Sequence, residues 1–190
     1  MGARRNRLAG GDGLIEFHSQ SGQDKWVYET LIEPGTRPPG TFLDVGCSHP
    51  FEGNNSATLE SLGWTGVLVD WNLGMIEECR RRRRSPAIAG DAWHVDWRVL
   101  CSDNHLPLKI DYLSLDLDDA NGEPSKVLHV LKSMFYFGLS FELMTVEHDE
   151  YRLGVGTRND IRALLEKDYR LVAGDVTDRG CAYEDWFQRR

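Results

Sequence analysis

Thr41-Phe-Leu-Asp-Val-Gly-Cys-Ser-His-Pro50 is the stretch that decides the fold. Phe42, Leu43 and Val45 form an apolar, strand-forming run that is too short for a helix and stops at Gly46. Such a run is typical of a strand buried on both faces of a parallel sheet. Gly46 permits a tight turn and lets the backbone approach a ligand closely. Small and polar residues follow, and a helix is expected to begin near Asn55. Strand, glycine turn, helix is how open α/β sheets hold nucleotide-like cofactors at the carboxyl ends of their strands. The next apolar run, Val67-Leu68-Val69, ends in Asp70. A carboxylate at the tip of a second strand can accept hydrogen bonds from both hydroxyls of a ribose. Together the two stretches point to an adenosine cofactor.

Charge and glycine spacing narrow the choice. A dinucleotide fingerprint reads G-x-G-x-x-G, whereas Ser48 and Phe51 stand where further glycines are expected. The turn carries no Lys or Arg, so a pyrophosphate would find no cationic partner in it. Asp44 at the start of the turn suits an ammonium or a hydroxyl better than a phosphate, by sign of charge. S-adenosylmethionine has a sulfonium, an ammonium and no phosphate. The expected activity is therefore methyl transfer, and a nicotinamide-dependent oxidoreductase on a Rossmann-like sheet is the alternative.

The 190 residues allow one hydrophobic core, and the net charge of −8 argues against a nucleic-acid partner, which needs a basic face. Five consecutive arginines, Arg80 to Arg84, fall at the end of an expected helix, where they read as a solvated, dipole-complementing turn. Four widely spaced cysteines, Cys47, Cys79, Cys101 and Cys181, suit reduced thiols in a cytoplasmic protein better than a disulfide framework or a zinc site. No signal peptide and no run of membrane-spanning length is visible, so no membrane partner is expected.

Along the chain, residues 1–17 read as a flexible arm and 18–190 as a single domain. Asp24 is placed to cap a helix over Trp26 to Ile32. Asn55 or Ser56 caps the helix after the glycine turn, which ends at Gly63. Trp64 to Asp70 is the second strand, Leu73 to Arg83 a helix, and Ala87 to Ala89 a third strand ending in Gly90-Asp91-Ala92. Residues 92–109 show no clean period and are expected to be irregular or a hairpin. Ile110 to Leu115 is the fourth strand, and Ser125 to Phe137 a helix with i, i+3, i+4 apolar spacing. Phe141 to Val146 is the fifth strand, and Gly154 to Arg158 reads as a glycine-rich loop before a helix capped by Asn159 or Asp160. Tyr169 to Val176 and Cys181 to Phe187 are the last strands. The short link between those two forces them antiparallel. The expected fold is α/β: a Rossmann-like class I methyltransferase, its seven-stranded, mostly parallel sheet closing on an antiparallel last strand, with helices on both faces.

Several ordered motifs resemble those of FkbM-type methyltransferases: Ser19-Gln-Ser-Gly-Gln-Asp24, Phe42-Leu-Asp-Val-Gly46, Asn55-Ser56 with Leu59-Glu60, Gly63-Trp64-Thr-Gly66, Ile110-Asp-Tyr-Leu-Ser-Leu-Asp116 and Val146-Glu-His-Asp149. The resemblance runs from Ser19 to Glu184-Asp-Trp-Phe187. It implies S-adenosylmethionine as cofactor and methylation of a hydroxyl on a small molecule or sugar. After Asp116 such enzymes tend to read D-x-E-G, and this chain reads Asp116-Leu-Asp-Asp-Ala-Asn121. That departure keeps a non-catalytic cofactor-binding module as a further alternative.

Strand-tip positions supply the candidate site. Asp44 and Gly46 are expected at the methionine end of the cofactor, Asp70 on the ribose, and Asp91 with Ala92 near the adenine, with Gln23 and Asp24 closing over it. Asp116, Asp118 and Asp119 on one tip face Glu147, His148 and Asp149 on the next. Crowded carboxylates need a shared proton or cation, so Asp116, Asp118 and Glu147 are candidate ligands for Mg²⁺ or Mn²⁺. His148 is the candidate general base, with Asp116 and Glu147 as further catalytic residues, because imidazole titrates near neutrality.

Overall fold

The computed structural model describes residues 5–7, 14–35, 38–117 and 126–190. Its seven-stranded sheet is built from β3 (Thr41–Val45), β4 (Thr65–Asp70), β5 (Ala87–Ala89), β6 (Lys109–Leu115), β7 (Ser140–Glu147), β8 (Tyr169–Asp178) and β9 (Cys181–Arg189). They lie in the order β5-β4-β3-β6-β7-β9-β8. The pairings from β5 to β7 are parallel, and β9 is antiparallel to both β7 and β8. Arg179 and Gly180 link β8 to β9 with φ of 49° and 84°, the two left-handed residues of a type I′ hairpin. The expected architecture is the observed one.

Successive residues of a strand point to opposite faces, and each face here has its own apolar cluster. Leu43, Val45, Val67, Val69, Leu113, Leu115, Met144 and Val146 pack on one side, together with Trp97 and Leu131. Phe42, Leu68, Tyr112 and Leu143 pack on the other, with Leu59, Ile76 and Cys79. The first layer is helices α4 (Trp97–Asp103), α5 (Lys126–Tyr136) and α7 (Val155–Leu165), and the second is α1 (Gln23–Val27), α2 (Ala57–Ser61) and α3 (Leu73–Arg82). Helices on both faces leave these strands no polar side, hence their unbroken apolar runs.

Four local expectations are corrected. The stretch read as an arm contains two paired strands, β1 (Arg5–Arg7) and β2 (Leu14–Glu16), and Ile15 and Phe17 are buried beside Tyr28. Residues 92–109 hold α4 rather than a hairpin. Asp96 accepts from the Arg98 and Val99 amides at its start, and Trp97, Leu100 and Cys101 bury one face. Val155 to Arg158 is helical, and Gly154 (φ 77°) is the break between α6 (Glu150–Leu153) and α7, so Asn159 and Asp160 lie inside a helix. Asp24 is no N-cap. Gly22 starts α1, which continues as a π-helical turn, Tyr28–Ile32. The Asp24 carboxylate instead accepts from the His18 and Ser19 amides, the Ser19 hydroxyl and Thr58 Oγ1, tying the incoming chain to α2.

Candidate functional site

The carboxyl ends of β3, β4, β6 and β7 open onto a cavity of about 880 Å³ lined by Asp44, Gly46, Asp70, Asp91, Ala92, Asp116 and Glu147, among others. Parallel strands place their tips together, so these residues from distant parts of the sequence meet. Gly46 sits at φ 82°, and a Cβ built on it would lie 1.6 Å from the Asp116 carbonyl oxygen. Its N–H donates to the Val69 carbonyl (2.8 Å), and the Asp116 N–H donates to the Val45 carbonyl (3.0 Å). The turn is thus wedged between β4 and β6, where only glycine fits.

A buried polar network holds the loop after Gly46. Asp44 accepts from Ser56 Oγ at 2.6 Å and from Asn54 Nδ2 at 3.2 Å. Burial raises its pKa, against the lowering effect of Ser56, Arg83 and Asn54. Asn54 Oδ1 accepts from the Ser56 and Ala57 amides, so Asn54, rather than Asn55 or Ser56, supplies the side-chain cap of α2. Asn55 donates to Ser114 Oγ across the sheet. Arg83 is buried under this loop. Its guanidinium donates to Glu60 Oε2 (2.5 Å), the Pro50 carbonyl (2.9 Å), Asn54 Oδ1 (3.0 Å) and Ser56 Oγ (3.1 Å). The arginine run is therefore not uniformly solvated: Arg81 is an exposed helix-end cation, and Arg83 is a structural strut.

Asp70 reaches back from β4 and accepts from the Ser48 amide (2.8 Å) and the Asn72 amide (2.7 Å). A carboxylate offers about four lone-pair positions, so Asp70 keeps acceptor capacity towards the cavity it lines. Asp91 accepts from the Trp93 amide and lines the cavity beside Ala92. Trp71, 71% exposed, stands at the rim, as does the half-exposed Tyr151.

The opposite wall is acidic. Burial is the main cause that pushes Glu147 up to about 12, followed by the adjacent Asp116 and Asp149 carboxylates, so Glu147 carries its proton at neutral pH. One of its oxygens, Oε2, is buried without a hydrogen-bond partner. His148, next in sequence, is not among the residues lining the cavity. It is buried on the far side of the strand tip, where Nδ1 accepts from the Glu150 amide and Nε2 faces Asp185 at 3.6 Å. The alternation that turns Glu147 inward turns His148 away. His148, Asp175 and Asp185 could by spacing share a cation. Arg162 already bonds both carboxylates, and Arg158 bonds Asp175. Burial raises Asp185, but Arg162 and His148 more than offset it and hold it down at about 2.

Gln23 and Asp24 do not close over the cavity. Gln23 is buried and donates to Tyr183 Oη (2.8 Å) and Glu184 Oε1 (3.0 Å), which fastens the N-terminal segment to β9. Gln20 reaches the cavity instead and donates to Asp178 at 2.9 Å. Asp118 and Asp119 lie outside the described residues. The hairpin residues Asp178, Arg179 and Tyr183 also line the cavity. They reach it through strand order, and no local motif signals that.

Known proteins bear on this geometry through their folds. No family model matches the chain, and no curated protein matches it by sequence. Among solved structures, it is similar to magnesium protoporphyrin IX methyltransferase (ChlM) of Synechocystis PCC 6803 with bound SAM, at 17% identity and TM-score 0.59, over 89% of this chain and 80% of that one. It is similar to the SAH-bound methyltransferase PaMTH1 of Podospora anserina at 14% identity and TM-score 0.57, over 90% and 80%. A TehB-like SAM-dependent methyltransferase of Corynebacterium glutamicum matches at 12% identity and TM-score 0.55, over 89% and 88%. The chain has the class I methyltransferase fold. No helix among the described residues is long and apolar enough to cross a membrane.

Proposed function

We propose that this chain is an S-adenosylmethionine-dependent methyltransferase acting on a hydroxyl of a small molecule or sugar. One observation carries the reading: the Gly46 turn and the Asp70 carboxylate open onto the same cavity as the acid pair Asp116 and Glu147. The adenosine end and a proton-handling wall thus share one space. The class I fold, the bound ligands of two of its neighbours and the FkbM-like motifs support it. The oxidoreductase alternative is disfavoured locally. A dinucleotide pyrophosphate sits on the free amides of the helix after the glycine turn. In this chain the first amides of α2 are bonded to Asn54, and α2 has only five residues.

S-adenosylmethionine supplies an electrophilic methyl group on a sulfonium. Asp70 would accept from the ribose hydroxyls, and Asp91 with Ala92 would flank the adenine. The buried Asp44 complements the positive methionine end. Across the cavity, Asp116 is placed to take the proton of the acceptor hydroxyl, and protonated Glu147 holds the pair in register by a shared hydrogen bond. A second reading gives Asp116, Asp118 and Glu147 to Mg²⁺ or Mn²⁺, favoured by the unpartnered Glu147 Oε2. Loss of transfer on chelation, restored by Mg²⁺ or Mn²⁺, would establish the ion, and undiminished transfer would dismiss it.

S-adenosylhomocysteine at about 100 times its Kd should stabilise the protein by about 2.7 kcal/mol through mass action. At this length that is a Tm rise of roughly 5–11 °C. Asp70→Ala should remove most of the rise in differential scanning fluorimetry, because the ribose loses its acceptor. A full shift in the variant, or none in the wild type, would overturn the cofactor reading.

A further inference from the structure

Asn55 does not perform the capping of α2 expected of it, because Asn54 supplies that cap. Its side chain nevertheless lines the cavity at only 6% exposure. Nδ2 donates to Ser114 Oγ at 2.9 Å, while Oδ1 is buried with no hydrogen-bond partner among the described residues. A bare buried carbonyl oxygen is destabilising, and native folds keep few of them. We propose, building on the cofactor reading, that Asn55 Oδ1 receives the α-ammonium of the cofactor's methionine end.

Two neighbours fix which way the amide turns. Ser114 on β6 is in register with Asp44 on β3, so both side chains leave the sheet on the same face. Ser114 Oγ accepts from Asn55, which leaves the hydroxyl's own proton for the Asp44 carboxylate. Burial raises the Asp44 pKa, and the Ser114 hydroxyl is among the groups that oppose the rise. Reversing the amide would take that proton for Asn55 Oδ1 and strand the Nδ2 donors in a buried position. The observed orientation serves Asp44 and turns the carbonyl oxygen away from β6.

A carbonyl oxygen accepts and never donates, so it selects a donor. The methionine end of S-adenosylmethionine offers an ammonium with three N–H groups and a carboxylate with none. Asp44 is 2% exposed and already accepts from Ser56 Oγ and Asn54 Nδ2. It therefore attracts the ammonium by charge, and Asn55 supplies the directed, charge-assisted bond. Asn54 Nδ2 also donates to the Cys47 carbonyl at 2.9 Å, which ties this part of the loop to the glycine turn. Asn55 is held at the end of the cavity where the amino acid of the cofactor belongs.

Calorimetric titration of the full-length protein tests this with four probes: S-adenosylhomocysteine, its deamino analogue, its decarboxylated analogue and 5′-methylthioadenosine, which ends at the sulfur. Asn55→Ala should weaken S-adenosylhomocysteine and the decarboxylated analogue by about tenfold or more. The two probes without the ammonium should stay within about twofold of wild type. Ser114→Ala, which frees the amide to turn, should give the same selective loss and identifies Ser114 as a positioning residue. It also keeps the test decisive should Asn55→Ala fail to fold. An equal loss for all four probes would reduce Asn55 to loop structure and overturn the proposal. A loss confined to the probes that carry a carboxylate would overturn it too, by showing that the amide presents N–H instead. If wild type binds 5′-methylthioadenosine as tightly as S-adenosylhomocysteine, the cofactor reading survives and the Asn55 contact falls. If it binds none of the four, the cofactor reading fails and takes the contact with it.

Discussion

Asp116→Asn is expected to lower methyl transfer by about 10²–10⁴-fold, the range for losing a positioned base, with S-adenosylhomocysteine binding retained. Glu147→Gln is expected to cost less, because glutamine still donates a hydrogen bond. His148→Ala should leave the chemical step within about tenfold of wild type, since the imidazole faces Asp185 and not the cavity. Single-turnover rates on the three variants decide the assignment. A loss in His148→Ala equal to that in Asp116→Asn would return the imidazole to the site. Stability gives an independent reading of Glu147. Its folded pKa is raised to about 12, so its contribution is complete below the ordinary value of 4.5 and is lost as pH rises. Glu184, pushed up to about 8 chiefly by burial, acts in the same direction from 4.5 upward. Asp185, held at about 2, acts oppositely, losing its contribution as pH falls below 3.8. The melting temperature should therefore decline from about pH 5 towards 9. Glu147→Gln should flatten that decline, gaining about 2–4 °C over wild type at the alkaline end for each kcal/mol relieved. A variant that melts in parallel with wild type at every pH would show that Glu147 is not the strained acid.

Arg83→Ala carries the largest expected cost in stability. It removes four hydrogen bonds under the cavity loop and leaves Glu60 with an uncompensated buried charge. Burial raises Glu60, and Arg83 and Ser85 more than offset that, so the carboxylate depends on them. Breaking a buried pair from one side costs about 3–5 kcal/mol, or roughly 6–20 °C at this chain length. Chemical denaturation measures it. The double variant Arg83→Met/Glu60→Met should recover part of the loss by removing both charges. A cost below about 1 kcal/mol, the surface-pair range, would mean that the guanidinium is solvated after all.

The sheet was legible in the sequence because parallel strands between covered faces must be apolar throughout. The runs at Phe42, Val67, Ile110 and Phe141 could hardly be anything else. Their acidic tips were legible for the same reason: strand ends converge wherever the topology is known. Arg83 was not, because an arginine run reads as surface until its Glu60 partner, 23 residues away, is seen. His148 was misjudged by proximity. Adjacent residues at a strand tip face opposite ways, and chemistry alone does not say which of Glu147 and His148 turns inward. Helix α4 had its signal, Asp96 before Trp97, Leu100 and Cys101, obscured by half-buried Trp93 and exposed His94 just ahead of it.

The placement of β9 between β7 and β8 has a consequence for synthesis. Strand β8 leaves the ribosome before β9, its one sheet partner among the described residues, and must wait, edge exposed, until residues 181–189 emerge. The acidic wall waits too, because β9 supplies the pairing that sets Glu147 opposite Glu184. A nascent chain stalled near Gly180 would hold β3 to β7 in order with one open flank, a species that invites pairing with a second chain. Emergence of residues 181–189 therefore both completes the site and covers the open flank of β7.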